Sequence, residues 1–186
     1  MIRNEVTDVI ASRRSIRKYT GRKVTDEELE TILECGTLAP SGMNTQGWFV
    51  SAVWDPALLK EMSALQKEAV LAMPDLPPVM LERAKDPAFD ATFGAPVVLI
   101  VTADASRGSG DACLLGENMV LAAQSLGLGT CVLGSVTMAL HGEEGKELLK
   151  KLGVPEGHSA VFGISVGEPA EEPAPTPRDK KYVIIG

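Results

Sequence analysis

Ala95-Pro96-Val97-Val98-Leu99-Ile100-Val101 is the stretch on which the fold turns. Its five consecutive aliphatic residues show no polar alternation, so the strand they predict is buried on both faces. Such a strand needs an apolar layer on each side, and helices are expected above and below it. Outward toward the C-terminus, Asp111 to Leu126 reads as a helix apolar nearly all round, a central buried element. Gly127 can end it in a left-handed turn. A strand near Thr130 to Leu133, a helix near Glu143 to Leu152 and a strand near Ser159 to Val166 complete that half.

Toward the N-terminus, Asp55-Pro56 is an N-cap with a first-turn proline, opening a helix with Leu58, Leu59, Met62 and Leu65 inward. Trp48 to Trp54 reads as a strand, and a short helix is expected around Val79 to Lys85. Thr25 and Glu28 form a capping box, with Val24 stapled to Leu29 and with Leu29, Ile32 and Leu33 as the buried stripe. Ile2, Val6, Val9 and Ile10 recur at helical spacing, so an amphipathic helix should end near Arg13. Helices and strands alternate without a regular βαβ repeat, which selects α+β over a doubly wound α/β sheet.

The 186 residues suffice for one domain with a real core, and 45% hydrophobic content makes the chain globular. A net charge of -7 speaks against nucleic acid as a partner. No apolar run approaches the roughly 20 residues of a membrane span, and no signal region is evident, so the expected location is cytoplasmic. Cys35, Cys113 and Cys131 form neither a CxxC pair nor a disulfide framework, and burial is the expected state of all three. With His141 and His158 as the two histidines, no metal-ligand cluster is expected.

The tail differs in kind. Pro169, Pro173, Pro175 and Pro177 favour extended polyproline geometry, and nine such residues span roughly 28 Å. The tail ends in Tyr182-Val183-Ile184-Ile185, too apolar for a solvated terminus. The expected division is therefore a body, residues 1–168, and an arm, residues 169–186, that docks on another subunit.

Three segments offer chemistry. Arg13-Arg14-Ser15-Ile16-Arg17 packs three guanidinium groups and a hydroxyl into five residues. Arginine forks match phosphate oxygens two at a time, although on its own the cluster reads first as a solvated basic face. Pro40-Ser41-Gly42-Met43-Asn44-Thr45-Gln46 is rich in amides and hydroxyls that suit the polar edge of a heterocycle, or an ordinary turn. Gly127-Leu128-Gly129 through Leu133-Gly134 permits close backbone approach to a flat ligand but lacks the GxGxxG spacing of a dinucleotide fold. No Gly-x-Ser-x-Gly elbow is present, and no side chain stands out as a general acid or nucleophile.

In this order and spacing, with Asn118 to Gly129 and Pro177-Arg178 added, these segments resemble the FMN-dependent nitroreductases over nearly the whole chain. The resemblance implies a three-layer sandwich with a central, mostly antiparallel sheet. It also implies an intertwined homodimer whose C-terminal arms cross to the partner, with FMN at the interface. It would place Arg13, Arg14, Ser15, Arg17 and Arg178 at the phosphate and ribityl chain. Pro40, Ser41, Met43, Asn44 and Gln46 would reach the flavin from the other subunit, and backbone around Leu133 and Gly134 would lie at its reactive edge. The implied activity is ping-pong transfer of hydride from NADH or NADPH, through FMN, to a nitroaromatic, quinone or similar small-molecule acceptor. A dehalogenase-type specialist and a flavin-storing module share the same features. Two positions depart from the family pattern: Gly47 replaces a common proline, and Glu117 a common glutamine.

Overall fold

The computed structural model describes residues 2–75 and 77–186. Four antiparallel strands form one sheet in the order β1-β2-β4-β3, with β1 Trp48–Val53, β2 Val97–Asp104, β3 Gly129–Leu133 and β4 His158–Gly167. Interior β2 is buried over its first seven residues, as its unbroken apolar run requires. Its alternate side chains feed two separate cores. Val97, Leu99, Val101 and Ala103 pack with α2 (Asp26–Thr37) and α5 (Gly110–Ser125). Val98 and Ile100 pack with α3 (Pro56–Leu71), α6 (Gly142–Lys151) and the 3₁₀ segment Gly134–Leu140. Three layers result, each fully buried aliphatic side chain contributing about 1.5–3 kcal/mol.

Local signals set the helix ends. Thr25 Oγ1 accepts from the Glu28 amide at 3.1 Å, and Glu28 returns a carboxylate to the Thr25 amide at 2.8 Å. The Arg22 guanidinium also bonds Glu28, and this bond, with the Thr25 amide, holds the carboxyl below its ordinary range. Asp55 Oδ1 accepts from the Ala57 amide at 2.7 Å to open α3. Gly127 sits at φ 77° after α5, the left-handed turn expected of it.

Helix α1 (Glu5–Ser12) departs from expectation. Its apolar stripe is present, yet it buries no residue within this chain; Ile2, Val6 and Ile10 are exposed. The outer face of α5 likewise leaves Cys113 and Leu114 exposed, so that helix is buried on one side only. Only Cys131 of the three thiols is buried; Cys35 is half-buried and Cys113 exposed, because Cys113 falls on the outer face of α5. Glu117 is exposed on that helix and makes no ion pair among the described residues.

Gly129 shows how the N-terminal segment is anchored. Ile16 is 6% exposed, and its amide donates to the Thr130 carbonyl at 2.8 Å. A Cβ on Gly129 would lie 2.6 Å from Ile16 Cγ1 and 2.9 Å from Ile16 Cβ. Gly129→Ala should therefore push the Arg13–Arg17 segment off the sheet and destabilise the fold by about 1–3 kcal/mol. A lowered urea midpoint with unchanged m-value would report it; an unchanged midpoint would refute the close approach.

Candidate functional site

Helix α1 ends at Arg13, and the chain runs on extended as Ser15 pairs in parallel with Thr130 beside β3. Residues 17–20 then lie against residues 168–171. The Thr20 amide donates to Glu168 O, the Ala170 amide to Lys18 O, and the Arg17 amide to Glu171 Oε1 at 2.6 Å. Tyr19 is pinned beneath, bonding the Ile16 carbonyl and Ser165 Oγ at 2.8 Å each, and burial raises its phenol well above the ordinary range. The arginine segment is thus held at a fixed place on the sheet.

A cavity of about 210 Å³ opens there, walled by Arg17, Leu133, Gly134 and Gln66 of α3. Its outer wall is Arg83 of α4 (Pro78–Lys85) with Phe89 and Phe93. Arg13 has no side-chain partner among the described residues, but its charge, with those of Arg17 and Arg83, reaches the Cys131 thiol on the same wall. Burial outweighs those three charges and raises that thiol. Arg14 is employed differently: its Nη1 donates to Ala11 O at 2.8 Å and Arg13 O at 2.7 Å, capping the end of α1.

Gln66 and Phe93 went unrecognised in the sequence. Gln66 is 3% exposed; its Nε2 donates to Ser135 Oγ at 2.6 Å, while its Oε1 has no partner. A buried amide oxygen without a donor costs about 1–3 kcal/mol, which makes Gln66 the one strained polar group on this wall. The readable signal was a glutamine four residues after Met62 and four before Val70, on the buried face of α3. Phe93 holds φ 61°, a rare conformation for a bulky residue. Asp90 sustains it, its carboxylate accepting from the Thr92 amide and hydroxyl and from the Gly94 amide at 2.7–2.8 Å. A larger cavity, about 540 Å³, lies elsewhere, between Trp54, α3 and Pro96, and holds none of these arginines.

The Pro40–Gln46 loop is not part of this cavity. It leads into β1 beside Asp104, whose amide donates to Gly47 O at 2.8 Å. The arginine segment is tied to Thr130, in register with Val166 and through it with Val97. The two therefore sit at opposite ends of the eight-residue β2 and on opposite sheet edges. Along the strand alone that is roughly 23 Å. The loop is nonetheless shaped: Met43, Asn44 and Gln46 all take positive φ, and Met43 is 95% exposed. Ser41 Oγ accepts from the Gln46 amide, and Asp111 from the Gly42 amide. Strain of this kind gathers where function needs it. At Gly47, a Cβ would meet Arg107 Cδ at 3.0 Å, so a side chain here would have to displace the arginine. Arg178 is exposed on the arm, without a hydrogen bond or ion pair among the described residues.

Among the described residues, no helix is long and apolar enough to cross a membrane. The nitroreductase family model matches residues 10–168. An FMN reductase [NAD(P)H] of Bacillus subtilis is 33% identical over 188 residues, covering 94% of this chain and 70% of its own. A Desulfitobacterium hafniense nitroreductase solved with bound FMN superposes with a TM-score of 0.92 at 30% identity, all of both chains being covered. A Bacteroides fragilis nitroreductase, also with bound FMN, gives 0.90 at 30%, covering 99% of this chain and 100% of its own.

Proposed function

Because the chain belongs to the nitroreductase family, we propose that it is an FMN-dependent NAD(P)H oxidoreductase whose site is completed by a second copy of itself. The observation that carries this reading is the cavity: the Arg17 guanidinium, without a carboxylate partner, faces it in an acidic chain, and the buried Gln66 amide lines it. Those features fit a cofactor with a phosphate at one end and a flat ring bearing N–H groups at the other. FMN, when bound, supplies a two-electron carrier able to take hydride from NADH or NADPH and deliver it to an electron-poor acceptor. The protein's part is to bind, orient and shield.

Arg13 and Arg17 would clamp the phosphate end, with the Ser15 hydroxyl and the partner's arm bringing Arg178. Arg14, with Nη1 committed to the end of α1, would contribute least of the three to that anion. Gln66 Oε1 would accept from a ring N–H, and the backbone at Leu133 and Gly134 would border the reacting edge. Pro40, Ser41, Met43, Asn44 and Gln46 lie too far away in the same chain, so they would approach from a partner. Support for a homodimer is the apolar surface left open here: the groove of about 410 Å³ between Val6, Leu38 and Leu121, and the exposed side chains of Tyr182, Val183, Ile184 and Ile185. The outer edge of β1, unpaired among the described residues, offers such an arm a ladder of backbone groups. A shallow site of this kind takes flat acceptors such as nitroaromatics and quinones.

The test is the visible spectrum of the purified protein, taken anaerobically before and after NADH or NADPH. A yellow protein bleached within seconds is expected. A yellow protein bleached over minutes or not at all would mean flavin storage instead, and a colourless one that FMN does not turn yellow would end the reading.

A further inference from the structure

Arg83 is the charged group of the cavity that the cofactor's phosphate grip does not use. It comes from α4, whereas Arg17 comes from the N-terminal segment and lies 5.8 Å from the Phe93 ring centroid. The Arg83 guanidinium lies 4.6 Å from the Phe93 ring centroid and 5.8 Å from that of Phe89. Glu82 and Asp86 stand within three positions of it in sequence, yet neither carboxylate pairs with its guanidinium. Attraction to the rings spends none of the guanidinium's N–H donors, and Arg83 makes no side-chain hydrogen bond or ion pair among the described residues. Phe93 in turn is fixed by its left-handed backbone and the Asp90 turn, so the platform is built in advance of any ligand. A flat molecule entering this cavity would meet aromatic surface and, at the rim, an unspent fork shaped for a carboxylate or phosphate.

We propose that Arg83 is a specificity residue that docks the anionic group of a molecule reacting at the flavin face. The inference rests on the reductase reading above. The anion has two possible carriers: a carboxylate on a flat acceptor, or the phosphates of the nicotinamide dinucleotide.

The test compares the wild-type holoprotein with Arg83→Gln and Arg83→Lys. The acceptors are 4-nitrobenzoate and 4-nitrobenzamide, alike in shape and different in charge. Losing one charge-assisted contact should lower kcat/KM for 4-nitrobenzoate by about ten- to a hundredfold in Arg83→Gln, through KM, and change 4-nitrobenzamide little. Arg83→Lys should recover part of the loss. Benzoate titrated against the flavin absorbance should weaken in parallel, a readout independent of turnover. If the carrier is the dinucleotide, stopped-flow reduction will show the weakened binding with NADH or NADPH, while the two acceptors stay equal. Equal behaviour of wild type and Arg83→Gln in every arm would overturn the proposal. So would faster loss of FMN from Arg83→Gln on dilution, which would give the residue to the cofactor. A wild-type protein that neither nucleotide reduces sinks the reductase reading instead, and the benzoate titration then decides Arg83 alone.

Discussion

Arg17→Ala should strip the protein of its flavin. The guanidinium faces the cavity, exposed and without a carboxylate partner, while the residue's own amide is fixed on Glu171. A fork on a phosphate makes two charge-assisted bonds worth about 1.5–3 kcal/mol each. Their loss raises the FMN dissociation constant by roughly two to four orders of magnitude. Arg13→Ala should act in the same direction. Arg14→Ala should retain flavin far better and instead loosen the end of α1, since that side chain bonds Ala11 O and Arg13 O. Arg17→Lys keeps the charge but not the fork and should fall between wild type and alanine. Flavin fluorescence released on serial dilution measures all four. Unchanged retention in both Arg13→Ala and Arg17→Ala would remove the phosphate from this end of the cavity.

Much of the fold was legible because its signals are local. The Thr25–Glu28 box, the Asp55 cap and the Gly127 stop each act within a few residues, and the structure places helix ends there. The uninterrupted run from Val97 announced a strand covered on both sides, and two cores flank it. The 3₁₀ segment Gly134–Leu140 was not legible: it has no side-chain cap and is too short to show a period. The stripe of α1 was legible as a stripe and misleading as a core. Periodicity says that a face will be covered, not which chain covers it.

The site divides in the same way. Arg13 to Arg17 and the Asn44 loop are contiguous motifs, visible in a one-dimensional text. Gln66, Arg83 and Phe93 acquire meaning only when α3, α4 and the turn at Asp90 fold around one cavity. A glutamine in an amphipathic helix, next to Lys67 and Glu68, looks like part of the solvent-facing side. Its burial beside Ser135, with one oxygen unpartnered, is a fact of packing that spacing alone understates.

Deleting residues 172–186 should separate the two copies and release the cofactor together. Beyond Glu171 the arm touches the body through no hydrogen bond or ion pair among the described residues; its own contacts are local, such as Lys181 with Asp179. The truncated body should therefore keep its sheet and its thermal transition as a monomer. What it loses is the apolar end, where Tyr182, Val183, Ile184 and Ile185 are 72–88% exposed in the single chain. Fully buried on a partner, such side chains are worth about 1.5–3 kcal/mol each. Ordering the arm costs about 0.5–1.5 kcal/mol for each immobilised side chain. At the middle of both ranges the surplus for four side chains is about 5 kcal/mol, a dimer dissociation constant raised by roughly three orders of magnitude. The double variant Ile184→Asp/Ile185→Asp keeps the length and Arg178, and separates the two contributions. If it dissociates yet binds FMN at high protein concentration, the arm acts through dimer formation. If only full truncation loses FMN, Arg178 acts directly at the phosphate. Sedimentation velocity with flavin absorbance reads both quantities in one run. A truncated protein that stays dimeric and yellow would show that α1 and α5 hold the copies together without the arm.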